Sequence, residues 1–238
     1  MDSETLMPVG HIAAHEADRL PAPDYACPVY DWTENFARYT DSISHLIEQI
    51  GIRFRDCGLP LTRLSMILRT LHPQIAVTGY TWNSNTGTLD EFTGDHESQS
   101  GESYQRSPVR RIFEGSPGFR RRLLDPDTPR DFPILDDLDA AGITDYLILP
   151  VPFSDGRSYS CSWATDAPDG FSDEQILRIT QLMPAFSLVL EILATRTIAR
   201  NLMDTYLGHS AGVRVLDGEI YRGRHLDFRS ARLHPDVR

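Results

Sequence analysis

The chain has 238 residues, with 23 Lys+Arg against 34 Asp+Glu and a formal net charge of −11. Every one of the 23 cations is arginine, and lysine is absent. Schiff-base catalysis, the phosphate-binding lysine of a P-loop and the strand lysine of a kinase are therefore excluded, and arginine, always protonated, replaces none of them as a base.

Residues 1–29 are polar, carry Pro8, Pro21, Pro23 and Pro28, and lack periodicity, so they read as a disordered leader. From Trp32 to Phe54 apolar residues recur every three or four positions (Phe36, Tyr39, Ile43, Leu46, Ile47, Ile50, Phe54), which predicts one amphipathic helix. Gly58 and Pro60 end it. Thr62 then reads as the cap of a second helix through Leu64, Ile67, Leu68 and Leu71, closed at His72-Pro73. The period changes to two over residues 75–82, and Asn83–Gly87 is a turn, so residues 75–93 read as a hairpin. Gly94–Ser103 is a polar loop. Ser107-Pro108 opens a short helix over Val109–Glu114. Phe119–Leu124 fits helix or strand. Asp131–Ala141 reads as a helix ended by Gly142.

Thr144–Phe153 is an apolar strand, Asp155-Gly156 a tight turn, and Tyr159–Ala164 its partner strand. Ser172 and Gln175 form a capping box, opening a helix from Asp173 to about Leu207, about 50 Å long at 1.5 Å per residue. Hairpin-paired strands with helices before and after them predict an α+β domain with an antiparallel sheet.

Within the last helix Ile176, Ile179, Met183, Phe186, Leu190 and Leu193 form a heptad seam, and Leu202 lies on a shifted stripe beyond it. The seam either packs on the chain's own sheet or, further along, builds a parallel homodimer that carries a signal. Pro184 inside the helix predicts a kink or a lost backbone bond. Tyr80, Trp82, Tyr146, Tyr159, Cys161 and Trp163 fall on neighbouring strands, either as the lining of a small-molecule pocket or as an aromatic core. Asp136, Asp137 and Asp139 read as a solvated helix surface, Asp95-His96-Glu97 as a loop and Arg120-Arg121-Arg122 as a solvated edge. No metal site is expected.

Residues 1–195 hold 15 Arg and 29 acids, net −14, whereas residues 196–238 hold 8 Arg and 5 acids, net +3. Cys27, Cys57 and Cys161 are an odd set without a C-x-x-C, which does not suggest a disulfide framework and fits a reducing compartment. No signal peptide is visible, and Met183–Ala194, the most apolar stretch, has 12 residues including Glu191. The expectation is a cytoplasmic protein with no membrane span and, at this acidity, no nucleic-acid partner.

The run Tyr146–Pro152, the strand ending Ser162-Trp163-Ala164-Thr165 and the helix opening Gly170-Phe171-Ser172-Asp173-Glu174 resemble the last third of a GAF-type sensor domain. Ile198-Ala199-Arg200, Leu202–Gly208, Gly212–Gly218 and Ile220-Tyr221-Arg222-Gly223 resemble the linker of proteobacterial class III adenylate cyclases. The resemblance spans roughly residues 30–223. It implies a leader at 1–29, a GAF-like sensory domain at 30–195 whose helix continues to 207, a helical linker at 196–223, and a truncated cyclase start at 224–238. There Asp236 aligns with the first metal-binding Asp, but Arg232, His234 and Pro235 break the strand that should deliver it. ATP and Mg would be the cofactors of a cyclase domain; none is implied for this chain, whose missing lysine agrees with absent catalysis. The implied function is sensory and dimerising, with a small-molecule ligand and a full-length cyclase as partners. Two other readings are a non-catalytic modulator of such a cyclase and a GAF-fold methionine sulfoxide reductase using Cys57 or Cys161.

Overall fold

The computed structural model describes residue 23 and residues 27–70, 75–97 and 101–208. The expectations for residues 1–22, for the linker beyond 208 and for Asp236 lie outside them. The chain divides into one unit up to Arg196 and a second from Thr197.

The first helix, α1 (Pro28–Asn35), starts at a proline, whose fixed φ suits a first helical turn. A single 3-10 turn follows at Ala37–Tyr39, then α2 (Ile43–Asp56). The one helix expected over 32–54 is thus broken. Phe36 and Tyr39, which completed its stripe, are 56% and 70% exposed. The Ser42 hydroxyl accepts from the His45 N–H at 3.1 Å and caps a new helix there. Val29 and Cys27, placed in the leader by sequence, are buried.

The helix expected after Thr62 is instead a strand, β1 (Arg63–Arg69). Leu64, Met66 and Leu68 are buried and alternate with Arg63, Ser65, Ile67 and Arg69. Ile67 is apolar on the second face, and that one residue made the run imitate a helical repeat. Thr62 caps no helix; its hydroxyl donates to Asp166 Oδ1 at 2.7 Å.

The remaining strands are β2 (Val77–Asn83), β3 (Thr88–Gly94), β4 (Phe119–Arg122), β5 (Asp145–Pro152) and β6 (Ser158–Thr165). They form one six-stranded sheet in the order β3-β2-β1-β6-β5-β4, with every pairing antiparallel. Helices α3 (Glu102–Gln105), α4 (Pro108–Phe113) and α5 (Pro133–Ala140) lie between β3 and β5 in sequence, and α6 (Asp173–Leu207) closes the order. The fold is α+β. Gly87, with φ +66°, supplies the left-handed turn of the β2–β3 hairpin. The capping box forms as expected: Gln175 N–H donates to Ser172 Oγ at 3.2 Å and Ser172 N–H to Gln175 Oε1 at 2.9 Å. Pro184 sits on an exposed position inside a continuous α6.

One face of the sheet carries the larger core. Leu64, Met66, Trp82, Leu147, Cys161 and Trp163 meet Leu46, Ile50 and Phe54 of α2 and Ile179, Met183, Phe186 and Leu190 of α6. Gly51 lets α2 approach closely: a Cβ there would stand 2.4 Å from the Trp82 ring. The opposite face carries a smaller core of Ile112, Phe119, Phe132, Leu135, Leu138, Tyr146 and Ile148. Asp173–Met203 is long and apolar enough to cross a membrane, and its residues Ile179, Leu182, Met183, Phe186, Leu190 and Leu193 are buried in the larger core.

Two covalent or ionic ties correct the sequence reading. Cys27 and Cys57 form a disulfide that closes a loop of sequence separation 30, joining the start of α1 to the end of α2. The odd cysteine count hid one pair and one free thiol, so it no longer argues for a reducing compartment. The arginine triplet is a structural clasp rather than a solvated edge. Arg120 Nε donates to both carboxylate oxygens of the buried Asp145 at 3.1 Å, Arg121 pairs with Asp131 at 2.9 Å, and Arg122 donates to the Asp169 carbonyl at 3.0 Å. Asp145 also accepts from the Phe171 N–H at 2.9 Å. It thereby ties β4 and β5 to the start of α6.

Reducing the disulfide, or changing Cys27 and Cys57 to Ser, is expected to lower stability by about 3–4 kcal/mol from loop-closure entropy. Urea unfolding with and without reductant measures it; an unchanged midpoint would contradict the pairing. Asp145→Asn leaves Arg120 without its carboxylate and is expected to cost about 3 kcal/mol or more, read from the same curves.

Candidate functional site

The six aromatic and thiol residues picked out by sequence do not form one pocket. Tyr80, Trp82, Tyr159, Cys161 and Trp163 share the face that α2 and α6 cover, and Tyr146 lies on the other. All six are buried, so the set is core, filled by its own neighbours. The Phe54 ring meets Trp163 edge-on at 5.6 Å, closing the space a ligand would need. The Cys161 thiol is pushed well up by burial, and Cys57 is bonded to Cys27. Neither is the free, low-pKa thiolate that sulfoxide reduction requires.

The heptad seam meets the same outcome. Ile179, Met183, Phe186, Leu190 and Leu193 are buried in the chain's own core, and Ile176 packs partly against it. These residues are spent on the sheet and are not open to a second chain. Leu202 and Tyr206, in the second unit, are 45% and 80% exposed.

The opposite face is where polar groups gather. Strand register sets out its rows. Asn83, Arg63, Ala164 and Tyr146 stand side by side across β2, β1, β6 and β5, and Thr81, Ser65, Ser162 and Ile148 form the next row. The half over β4 and β5 is apolar, whereas the half over β1, β2 and β6 presents hydroxyls and a guanidinium. The Ser65 and Thr81 hydroxyls are 2.8 Å apart, and Tyr146 hydrogen-bonds to the Ser162 hydroxyl. Burial pushes the Tyr146 phenol up to about 12, against the opposing pull of Ser162 and Arg63. Burial likewise drives the Arg63 guanidinium below its ordinary value, with Tyr146 opposing.

At the far end of β1, at the rim where Arg69 of this face and Tyr159 of the other both reach, lies a cavity of about 330 Å³, lined by Arg69, Ile112, Phe113, Glu114, Arg157 and Tyr159 among others. Three segments build it: the end of β1, the end of α4, and the β5–β6 turn, where Gly156 takes a φ of +81°. The Arg69 guanidinium lies 4.2 Å over the Phe113 ring. Phe113 stands edge-on to Tyr159 at 6.4 Å. Arg157 is paired with Asp155 at 2.6 Å and Glu114 with Arg110 at 2.7 Å, which leaves Arg69 as the lining charge with no carboxylate against it among the described residues. The cavity can hold a small molecule between an aromatic wall and a cation. Tyr159 is the one sequence-chosen pocket residue that reaches it.

Sequence reasoning missed Arg63, Ser65, Arg69, Thr81 and Ser162. Reading residues 63–69 as a strand would have put Arg63, Ser65 and Arg69 on one side. Among the described residues no group of three His, Cys, Asp or Glu side chains could hold a metal.

No family model matches the sequence, and no curated protein matches it. Solved structures of similar architecture are GAF domains. One, from a two-component sensor histidine kinase of Bacillus halodurans, is 16% identical, with a TM-score of 0.48 over 66% of this chain and 99% of that one. Another, the phycocyanobilin-bound GAF domain of a cyanobacterial phytochrome, is 12% identical, with a TM-score of 0.49 over 71% and 95%. A third, from a phosphoenolpyruvate-protein phosphotransferase of Coxiella burnetii, is 14% identical, with a TM-score of 0.43 over 71% and 94%.

Tyr146 and Tyr80, the latter also pushed to about 12 by burial and then by Glu91, give a pH signature. Their folded values exceed the unfolded value of 10, so the native state keeps protons that the unfolded chain loses. Stability should be full below pH 10 and fall between pH 10 and 12, by up to about 2.7 kcal/mol per tyrosine. Phenolate absorbance at 295 nm should show Tyr80 and Tyr146 titrating late, with Tyr159, which burial also raises, above its ordinary value. Loss of the late steps in a Tyr80→Phe, Tyr146→Phe double variant would assign them.

Proposed function

We propose that this chain is a GAF-type sensory and dimerisation region: a small ligand enters the 330 Å³ cavity at the end of β1, and α6 conveys the response. The division of labour between the sheet's faces carries this reading. One is sealed by α2 and α6, the other carries polar side chains, and the cavity lies at the rim, lined by Arg69 of the polar face and Tyr159 of the sealed one. α6 packs along the sealed face through Leu193, so a shift of the sheet is a shift of the helix packed on it.

The output on this reading is a nucleotide cyclase acting in cAMP signalling. Its support is the resemblance of the 198–223 segment to cyclase linkers. The chain would then act as a homodimer or as a partner of a full-length cyclase in the cytoplasm, with no catalysis of its own. Dimerisation falls to the α6 extension, where Leu202 and Tyr206 stand four residues apart with exposed side chains.

Sedimentation equilibrium of the whole chain tests this. A dimer is expected for the wild type, and a Leu202→Asp, Tyr206→Asp double variant should weaken it at least tenfold with the fold's circular dichroism unchanged. A strictly monomeric wild type would overturn the dimer. Metal-dependent cAMP synthesis by the purified chain would overturn the absence of catalysis.

A further inference from the structure

The Cys27–Cys57 bridge lies at the margin of the larger core. Cys27, the N-cap of α1, is 4% exposed, whereas Cys57, at the end of α2, is only partly buried. Gly58 follows it with φ +79° and open space where a side chain would point. A thiolate from solvent therefore approaches the bridge on the Cys57 side. Cys161, the third cysteine, is buried with its thiol pushed well up, so it takes no part in exchange.

What the bridge holds is α1, a helix of eight residues and too short to be stable alone. Its other ties are non-covalent. The Trp32 ring lies under the Arg53 guanidinium of α2 at 4.2 Å, and Tyr30 meets Phe54 edge-on at 6.4 Å. The Tyr30 hydroxyl donates to the Arg178 carbonyl of α6 at 2.9 Å. Just past α1, the Arg38 carbonyl accepts from Arg196 of α6, also at 2.9 Å. α1 and its following turn thus span both helices that cover the sealed face. The packing is imperfect: the buried Thr33 hydroxyl finds no hydrogen-bond partner among the described residues, a cost that the covalent tie offsets.

We infer that Cys27–Cys57 is a thiol–disulfide switch: the oxidised bridge clamps α1 across α2 and α6, and a dithiol reductant releases it. One thiolate of the dithiol attacks Cys57 Sγ, the S–S bond breaks, and Cys27 leaves as a thiolate that takes up a proton. That sulfur leaves at the N-terminus of α1, where no side chain caps the helix and negative charge is favoured. The second thiol of the reductant then attacks the reductant's sulfur in the mixed disulfide and frees Cys57 as a thiol. Two electrons and two protons pass to the protein, and the reductant departs as a disulfide. The switch shares α6 with the reading above as the responding element. It needs neither the cavity nor a dimer, and so fails independently of them.

The test uses the whole chain, with dithiothreitol as the dithiol. Maleimide mass tagging under native conditions should show Cys27 and Cys57 released together. Their rate should be proportional to dithiothreitol and unchanged by urea below the unfolding transition. Amide hydrogen exchange in the reduced protein should run at least about tenfold faster in α1 and rise over Arg178–Leu182 of α6, with the sheet amides still protected. Oxidised dithiothreitol should restore the bridge and the slow exchange. A Cys27→Ser, Cys57→Ser double variant should show the fast pattern without reductant. Reduction that accelerates with urea as global unfolding does would overturn the switch. So would a bridge that does not re-form, exchange in α1 or in α6 indifferent to the redox state, or a sheet that unfolds in the reduced protein or the double variant, which would make the bridge purely structural.

Discussion

The alternation along β1 is the constraint on which the rest of the structure depends. As a central strand it is paired on both sides, so its period of two fixes the facing of β2 and β6 and, through β6, of β5. Leu64, Met66 and Leu68 commit one face to burial. Arg63, Ser65 and Arg69 commit the other to polar contact. Slipping the strand by one residue would drive two arginines and a serine into the larger core and expose three apolar side chains. The asymmetry of the two faces is thus written into seven residues.

The sealed face is organised as a packed joint. Gly51 admits the Trp82 ring, Phe54 meets Trp163, and the seam of α6 lies along the same strands. Close-packed interfaces of this kind move as units rather than deform. The Cys27–Cys57 bridge fixes α1 to the end of α2, and the Asp145–Arg120 pair fixes β4 and β5 to the start of α6. Both ties flank the joint. Among the described residues the polar face has no such covalent or ionic staple along β1; Ser65 and Thr81 meet there through their hydroxyls, 2.8 Å apart.

Much of the fold was legible in the sequence. Turn residues, caps and alternation marked the hairpins at 77–94 and 145–165, and the capping box marked the start of α6. What failed shared one physical cause: a residue's neighbours in space are not readable from its spacing. Ile67 on the polar face made β1 look helical. Phe36 and Tyr39 continued an apolar stripe that faces solvent. The heptad of α6 is the same pattern whether it meets a sheet or a second helix. The candidate site was less legible than the fold, because Arg69, Phe113 and Arg157 come together only once β1, α4 and the β5–β6 turn have folded beside one another.

The central claim is that the sealed face packs and the cavity at the end of β1 binds. Amide chemical-shift mapping of the uniformly 15N-labelled chain, titrated with sodium benzoate against sodium chloride, tests it most directly. The account expects saturable shifts along Arg63–Arg69 and Ser158–Thr165, with residues of α6 following at the same apparent affinity. Shifts confined to α2 and its contacts, or no saturable shifts on β1 and β6, would contradict it.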